Sequence, residues 1–418
     1  MTTSRSILGE APPVIVFATR YPPAFKGGGP IRTLEALVRN APASYDVRVV
    51  TRDTDQGDPT PLDVEADAWG QRDGVNVWYS SVGRLKSLAS AMASARAHRP
   101  ALVYVNSFFD FRLSILPQLL RRLGYLRSDC LLVAPRGEFG SAAISSKDHK
   151  KNMFLALYRV LGLHREVVWH ASSTAEMADI RRIWGPTSRV IVRENDTLLP
   201  VTSDPGGVMT APPVEAAPLA LISVGRLVEH KGLHLALGAL AQAPAPVELD
   251  VYGPAEDEVY TARCRNLVEQ LPRHVTVRFH DALPHEEVRS TVSRYDALVM
   301  PTAGENFGHV IAEALSVACP VVCSDTTPWS TTLRGGGGVV VVERTVDSWR
   351  TALAEYSTTD AAERRDRRHR AGAAYNEWRS GSASPHVFEL VLTVPPPDSA
   401  DAVGLRPNPN PNPNPNPV

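Results

Sequence analysis

The sequence predicts an α/β protein built from two parallel-sheet domains, and three observations carry that expectation. In both halves short apolar runs alternate with amphipathic stretches, the pattern of parallel strands covered by helices. Residues 200–218 (PVTSDPGGVMTAPPVEAAP) are rich in Pro, Gly and Ala, lack periodicity and read as an interdomain linker. The length of 418 residues suits two domains of ordinary size.

The first half opens with a strand at Val14–Thr19, followed by the glycine-rich loop Lys26-Gly27-Gly28-Gly29-Pro30 and a helix from Ile31 to Val38. Strands at Val47–Thr51 and Val75–Ser80, a helix at Lys86–Ala97 and buried strands at Ala101–Asn106, Leu131–Ala134 and Val167–Ala171 complete it. The second half restarts with Leu219–Val224, then Gly225-Arg226-Leu227, Lys231-Gly232 and a helix at Leu233–Ala241. Val247–Tyr252 ends at Gly253-Pro254, Val275–Phe279 is the next strand, and a helix opens near Pro284. Asp296–Pro301, Cys319–Ser324 and Gly338–Val342 are the remaining strands, and Trp349–Trp378 is charged and helical. Each half reads as a Rossmann-like unit.

Composition narrows the function. The 44 Lys and Arg against 45 Asp and Glu argue against a nucleic-acid partner, whose phosphate contacts need a basic excess. Cys130, Cys264, Cys319 and Cys323 form no metal pattern, and the count suits a reducing cytosol. The N-terminal MTTSRSILGEAPP has no signal-peptide apolar core, and no apolar run approaches the roughly 20 residues of a membrane span. The expected location is therefore cytoplasmic, soluble or attached peripherally to the inner membrane face. From Arg406 the alternating Asn-Pro tail can form neither helix nor ladder and is expected to be disordered.

The densest stretch is residues 295–329, YDALVMPTAGENFGHVIAEALSVACPVVCSDTTPW. It reads as strand, two-glycine loop, helix and strand, with free N–H groups at the helix start where anions and sugar hydroxyls bind. Glu305 lies in the loop, and Glu313 follows eight positions on, about two turns later, so both carboxylates can face one ligand. Two glutamates at this spacing are common by chance and are usually solvated; here the NFG loop, the EAL that follows and Thr327-Pro328-Trp329 accompany them.

With Gly225-Arg226-Leu227-x3-Lys231-Gly232 upstream, this stretch resembles the E-x7-E signature of retaining, nucleotide-sugar-dependent glycosyltransferases of family 4 (glycosyltransferase group 1 type). The resemblance covers about residues 12–395 and is strongest over 220–330. It implies a GT-B fold: two Rossmann-like domains facing across a cleft, with a C-terminal helix crossing back to the first. The implied divisions are an acceptor-side domain at 1–199, linker 200–218, a nucleotide-sugar domain at 219–375, the returning helix at 376–395 and the tail at 396–418.

The resemblance makes Arg226 and Lys231, beside Gly225, a clamp on the donor diphosphate. The chemistry agrees, because negative charge grows on the leaving diphosphate and cations aimed there stabilise the transition state more than the ground state. No metal and no cofactor are implied. Glu313 would hold the ribose diol, since a carboxylate accepts two hydrogen bonds. Glu305 would contact the transferred sugar, as nucleophile or as positioning group. Asn306, Phe307, Gly308 and His309 would offer backbone N–H groups to sugar and diphosphate. Gly28 and Gly29 would let the backbone approach the donor phosphates; a plain flexible loop is the alternative.

On the acceptor side the resemblance places Asn106 where many relatives carry His, so no side-chain base is implied there; in a retaining mechanism the acceptor proton can pass to the leaving phosphate. Arg136 and Glu138, in Pro135-Arg136-Gly137-Glu138, would face the cleft towards the acceptor, or form a structural Arg–Glu pair. His170, in His170-Ala171-Ser172-Ser173 with Glu176, belongs to another such stretch, although Ser172 or Ser173 also suits a helix N-cap. Arg193-Glu194-Asn195-Asp196 departs from the usual Pro-Asn-Gly turn. Arg121, Arg122, Arg127, Lys147, Lys150 and Lys151 make this domain locally basic, which suits anionic headgroups or a lipid-diphosphate, or simply a solvated face.

The function so implied is transfer of a sugar from a UDP- or GDP-sugar onto a glycan or lipid-linked acceptor in polysaccharide or glycoconjugate assembly. A non-catalytic nucleotide-sugar-binding partner of another transferase and a sugar-nucleotide epimerase of the same fold are the alternatives.

Overall fold

The structure is a computed structural model that describes residues 11–81, 84–140, 149–204, 217–381 and 384–393. Most of the expected linker, Lys147, the Lys150 side chain and the Asn-Pro tail lie outside the described residues.

The first sheet contains β1 (Pro13–Ala18), β2 (Asp46–Arg52), β3 (Trp69–Arg72), β4 (Val75–Ser80), β5 (Leu102–Asn106), β6 (Cys130–Ala134), β7 (Val168–Ala171) and β8 (Val190–Val192). Their order is β3-β4-β2-β1-β5-β6-β7-β8, parallel except for the antiparallel β3–β4 pair. The second sheet contains β9 (Leu219–Val224), β10 (Val247–Tyr252), β11 (Val275–His280), β12 (Ala297–Met300), β13 (Val321–Ser324) and β14 (Gly338–Val341), in the order β11-β10-β9-β12-β13-β14 and wholly parallel.

Helices cover both faces of each sheet, so the central strands read as unbroken apolar runs. In β1, Ile15 and Phe17 enter one core while Val14, Val16 and Ala18 enter the other, all five fully buried. In the second sheet Leu219 and Leu221 of β9 face one core and Ile222 the other. Each such side chain contributes about 1.5–3 kcal/mol of burial.

The charged segment expected as one helix is two, Val346–Ser357 and Ala361–Gly381. Between them Thr358 Oγ1 and Thr359 Oγ1 bond back to the carbonyls of Glu355 and Tyr356, and Asp360 caps the next helix through the Glu363 N–H. The segment that reaches the first sheet is Val387–Thr393, while residues 376–381 complete the preceding helix. Val387, Phe388 and Val391 pack beside Val14, Val16 and Tyr104. Strands β3 and β8 and the helices Leu116–Arg122, His149–Val160 and Glu258–Val268 were beyond the sequence reading, being short or weakly patterned, whereas Thr174–Trp184 follows the N-cap expected at Ser172 or Ser173.

All loops that matter leave the carboxyl ends of parallel strands, where open α/β sheets bind ligands. These edges of the two sheets meet: a Cβ at Gly29 would stand 3.1 Å from the His309 ring, and one at Gly137 would stand 3.4 Å from Asn306.

Candidate active site

The site begins with the loop after β12. Gly308 adopts φ 82 as N-cap of helix His309–Ser316, and a Cβ there would meet Ile311 Cδ1 at 3.1 Å. Phe307 is buried against His309 and Trp329, and its carbonyl accepts from the Trp329 indole. Its side chain therefore anchors the loop and leaves the backbone to face the cleft.

Glu305 Oε1 accepts from Lys231 Nζ at 2.5 Å. Lys231 is set by a short 3-10 turn ending at Gly232, whose φ is 72 and whose added Cβ would lie 2.1 Å from the Pro301 carbonyl oxygen. Only glycine fits there. Gly225 also has a positive φ, 156, and lies against the Lys231 stem. Arg226 does not join this group: its guanidinium is directed at Glu256, with contacts of 2.8 and 2.9 Å between two half-exposed side chains. Such a surface pair is worth about 0–1 kcal/mol, so little opposes reorientation.

Glu313, two turns after Glu305, is 2% exposed. Its Oε1 accepts from Arg32 Nη1 at 2.7 Å and lies 3.3 Å from His285 Nδ1, while its buried Oε2 has no partner among the described residues. A buried carboxylate oxygen without a donor is costly, and it suits a ligand hydroxyl. His309 contacts Thr33 Oγ1 at 2.8 Å through Nε2. Burial first, then the positive charge of Arg32, His285 and Arg136, pushes its pKa down to about 3. The imidazole is neutral and serves as a hydrogen-bonding spacer between the domains.

On the first sheet Gly28 has φ 65, with open space where a Cβ would stand, and caps helix Gly29–Arg39. Gly29 presses on His309 instead. Of the triplet, Gly29 therefore meets the second domain, while Gly27 lies against Ile31 and Gln56 of its own.

The acceptor-side residues are placed differently from the expectation. Arg136 is buried and makes no pair with Glu138. Its Nε donates to Asn106 Oδ1 at 2.8 Å, one Nη to Asn195 and the other to Tyr104 Oη at 2.5 Å. His170 is buried behind it, Nδ1 near Tyr104 Oη at 3.2 Å and Nε2 near the Arg193 carbonyl at 3.1 Å; burial, then Arg136, holds its pKa well below the ordinary value. Asn106, Arg136 and His170 therefore form an internal network under the cleft floor. Glu138 clasps the turn after β5, accepting from Ser107 Oγ at 2.5 Å and from the N–H groups of Phe108 and Phe109 at 2.5 and 3.2 Å. Burial raises its pKa against these donors. Ser107 has φ 84, a strained conformation for a non-glycine residue.

Ser173 is the N-cap of helix Thr174–Trp184. Glu176 ties Gly137 N at 2.6 Å to Ser172 Oγ at 2.7 Å, and Ser172 in turn reaches Asn306 Oδ1 at 3.1 Å. Sequence reasoning missed Arg32, Thr33 and His285. The first two are polar residues near the start of an amphipathic helix, beside the glycine triplet, a faint signal that they face something other than core.

Residues 213–375 match the family described as Glycosyl transferases group 1. A Salmonella typhimurium glycosyltransferase assigned to colanic acid biosynthesis, WcaL, is 31% identical over 150 residues, 34% of this chain and 37% of that protein. The match thus spans little more than a third of the relative's length. Among solved structures, Anabaena Alr3699/HepE in complex with UDP and glucose superposes with TM-score 0.66 at 15% identity, over 87% of this chain and 95% of that one. Sucrose-phosphate synthase from Thermosynechococcus elongatus gives 0.65 at 19% identity, over 91% and 98%. Likeness at such identity is one of fold, and that fold is GT-B. Residues 213–375 are thus similar to the group 1 glycosyltransferases, within a chain of GT-B fold.

Proposed function

We propose that the protein transfers a sugar from a UDP- or GDP-sugar onto a glycan or lipid-linked acceptor, with retention at the anomeric carbon and without a metal ion, in polysaccharide or glycoconjugate assembly. The observation that carries this is the pairing of Lys231 with Glu305 at 2.5 Å on the loop that leads to Glu313 and its unpartnered buried oxygen. Glu313 takes the ribose diol. Lys231 and the orphan N–H groups at the start of helix His309–Ser316 meet the diphosphate as its charge grows. Arg226 swings from Glu256 to join them. Glu305 positions Lys231 and the sugar, and the acceptor proton leaves on the departing phosphate. That the neighbour Alr3699/HepE was solved with UDP and glucose supports a nucleotide-sugar donor.

A thermal-shift screen with UDP, GDP and ADP tests this. One nucleotide should stabilise the protein by mass action, with EDTA making no difference and Lys231→Ala abolishing the shift. Product NMR should show an unchanged anomeric configuration. An EDTA-sensitive shift would reject metal independence.

A second reading, a nucleotide-sugar-binding partner without turnover, is favoured by Asn106, whose Oδ1 is taken by Arg136. Binding with neither transfer nor hydrolysis would select it. Peripheral membrane attachment is supported by helix His149–Val160, which exposes Met153, Leu157 and Val160 at helical spacing near Lys151. Among the described residues no helix is long and apolar enough to cross a membrane. Flotation with phosphatidylglycerol vesicles but not phosphatidylcholine would bear the attachment out.

A further inference from the structure

A shallow, open recess with a cavity volume of about 20 Å³ lies on the first domain and is lined by Arg52, Ser80, Ser81, Arg84, Leu85, Leu88, Arg112 and Leu113. It belongs to the carboxyl edge of the first sheet, the edge that also carries the glycine triplet. Arg52 and Ser80 are register partners at the ends of β2 and β4, Arg84 opens helix Leu85–Ala97, and Arg112 lies in the turn after β5.

Arg52 and the walls of the recess are braced from outside it. Asp110 caps its helical turn through Leu113 N at 2.7 Å and pairs with Arg52. The residues just before it, 107–109, are clasped by Glu138. Asp67 is occupied by Ser81 and Ser87 and lies within the field of Arg84. Ser80 Oγ contacts Ser87 Oγ at 2.8 Å.

Positive charge remains. Arg112 has no carboxylate partner among the described residues. Arg52 Nε is a buried donor with no acceptor among the described residues, as is Nε of the adjacent Arg20. The Arg20 pKa is lowered by burial and then by Arg52, although Asp53, Asp55 and Asp110 oppose this. Three guanidinium groups around one recess, with an orphan donor and a leucine wall, match an oxyanion attached to a less polar body, because guanidinium forks recognise phosphate and carboxylate bidentately.

We propose that this recess binds an oxyanion, phosphate or carboxylate, carried by the acceptor, so that the acceptor class is anionic. The assignment of that anion to an acceptor rests on the transfer reading above; the anion site itself does not. Glu138 acquires a place in the design as the clasp that fixes the turn bearing Arg112.

The test is calorimetric titration of the full chain with inorganic phosphate and, separately, glucuronate. Arg84→Gln/Arg112→Gln and Lys231→Ala are titrated in parallel, with UDP and GDP as control ligands. Binding of either anion that weakens at least tenfold in the double variant and persists in Lys231→Ala supports the site. The tighter anion then separates a phosphorylated from a carboxylated acceptor. No binding, or binding lost only in Lys231→Ala, overturns it. Failure of both UDP and GDP to bind the unaltered chain would count against the transfer reading and leave the anion result intact.

Discussion

Arg32 and Glu313 come from helices of different domains, 281 residues apart, and meet at 2.7 Å across the cleft. Glu313 thus has one oxygen engaged by the first domain and one left for a ligand. Glu313→Ala should weaken binding of the preferred nucleotide by about 10- to 100-fold, the worth of one or two hydrogen bonds to a charged acceptor. Arg32→Ala removes the cation and leaves a buried carboxylate, and should destabilise the protein by about 1–3 kcal/mol. Calorimetry and denaturant unfolding read the two effects separately.

Two glycines with nearly the same φ should respond differently to alanine. At Gly232 a Cβ would collide with the Pro301 carbonyl, whereas at Gly28 it would meet open space. Gly28→Ala should cost about 1–3 kcal/mol of backbone strain alone, because its φ 65 and ψ −130 lie outside the left-handed helical well. Gly232→Ala must also move backbone and should cost about 3 kcal/mol or more, seen as a lower urea midpoint, and should displace Lys231.

His309 predicts an acid-side stability slope. Its folded pKa, about 3, lies below the ordinary histidine value, so between roughly pH 6.5 and 3 the unfolded chain binds the extra proton. Stability contributed by the neutral ring is therefore full above pH 6.5 and falls as pH drops through that window. His309→Asn should flatten the slope by up to one proton, while His170, depressed in the same direction, keeps its own contribution. Urea midpoints measured from pH 7 to 4 test this.

Arg136 spreads three donors over three separate acceptors. Lysine cannot reproduce that fork. Arg136→Lys should lose about 2–3 kcal/mol through the acceptors left unpaired, and should do so without altering nucleotide affinity if the network is structural. A weakened UDP isotherm would show that it reaches the donor.

What the sequence made legible was local. Glu305, Gly308 and Glu313 lie within one strand–loop–helix unit, so their spacing alone sets their relation. Lys231 was legible because Gly232 marks its turn. Arg226 is drawn aside by Glu256, 30 residues on, and no periodicity reports such a pairing. Arg136 looked like a cleft residue because arginine is seldom buried. Its partners Asn106, Asn195 and Tyr104 converge only when three strand ends are aligned. Arg32 and Thr33 escaped because their partners lie across the cleft, and His285 because Glu313 lies on the next helix, 28 residues on.

The packing of Val387, Phe388 and Val391 against the first sheet has a consequence for biosynthesis. A chain emerging from the ribosome in order exposes that sheet's face while the entire second domain is still being made. The first domain must persist as an incompletely covered intermediate until the final helix arrives. A nascent chain stalled before Val387 should therefore be protease-sensitive in its first half, the half made earliest.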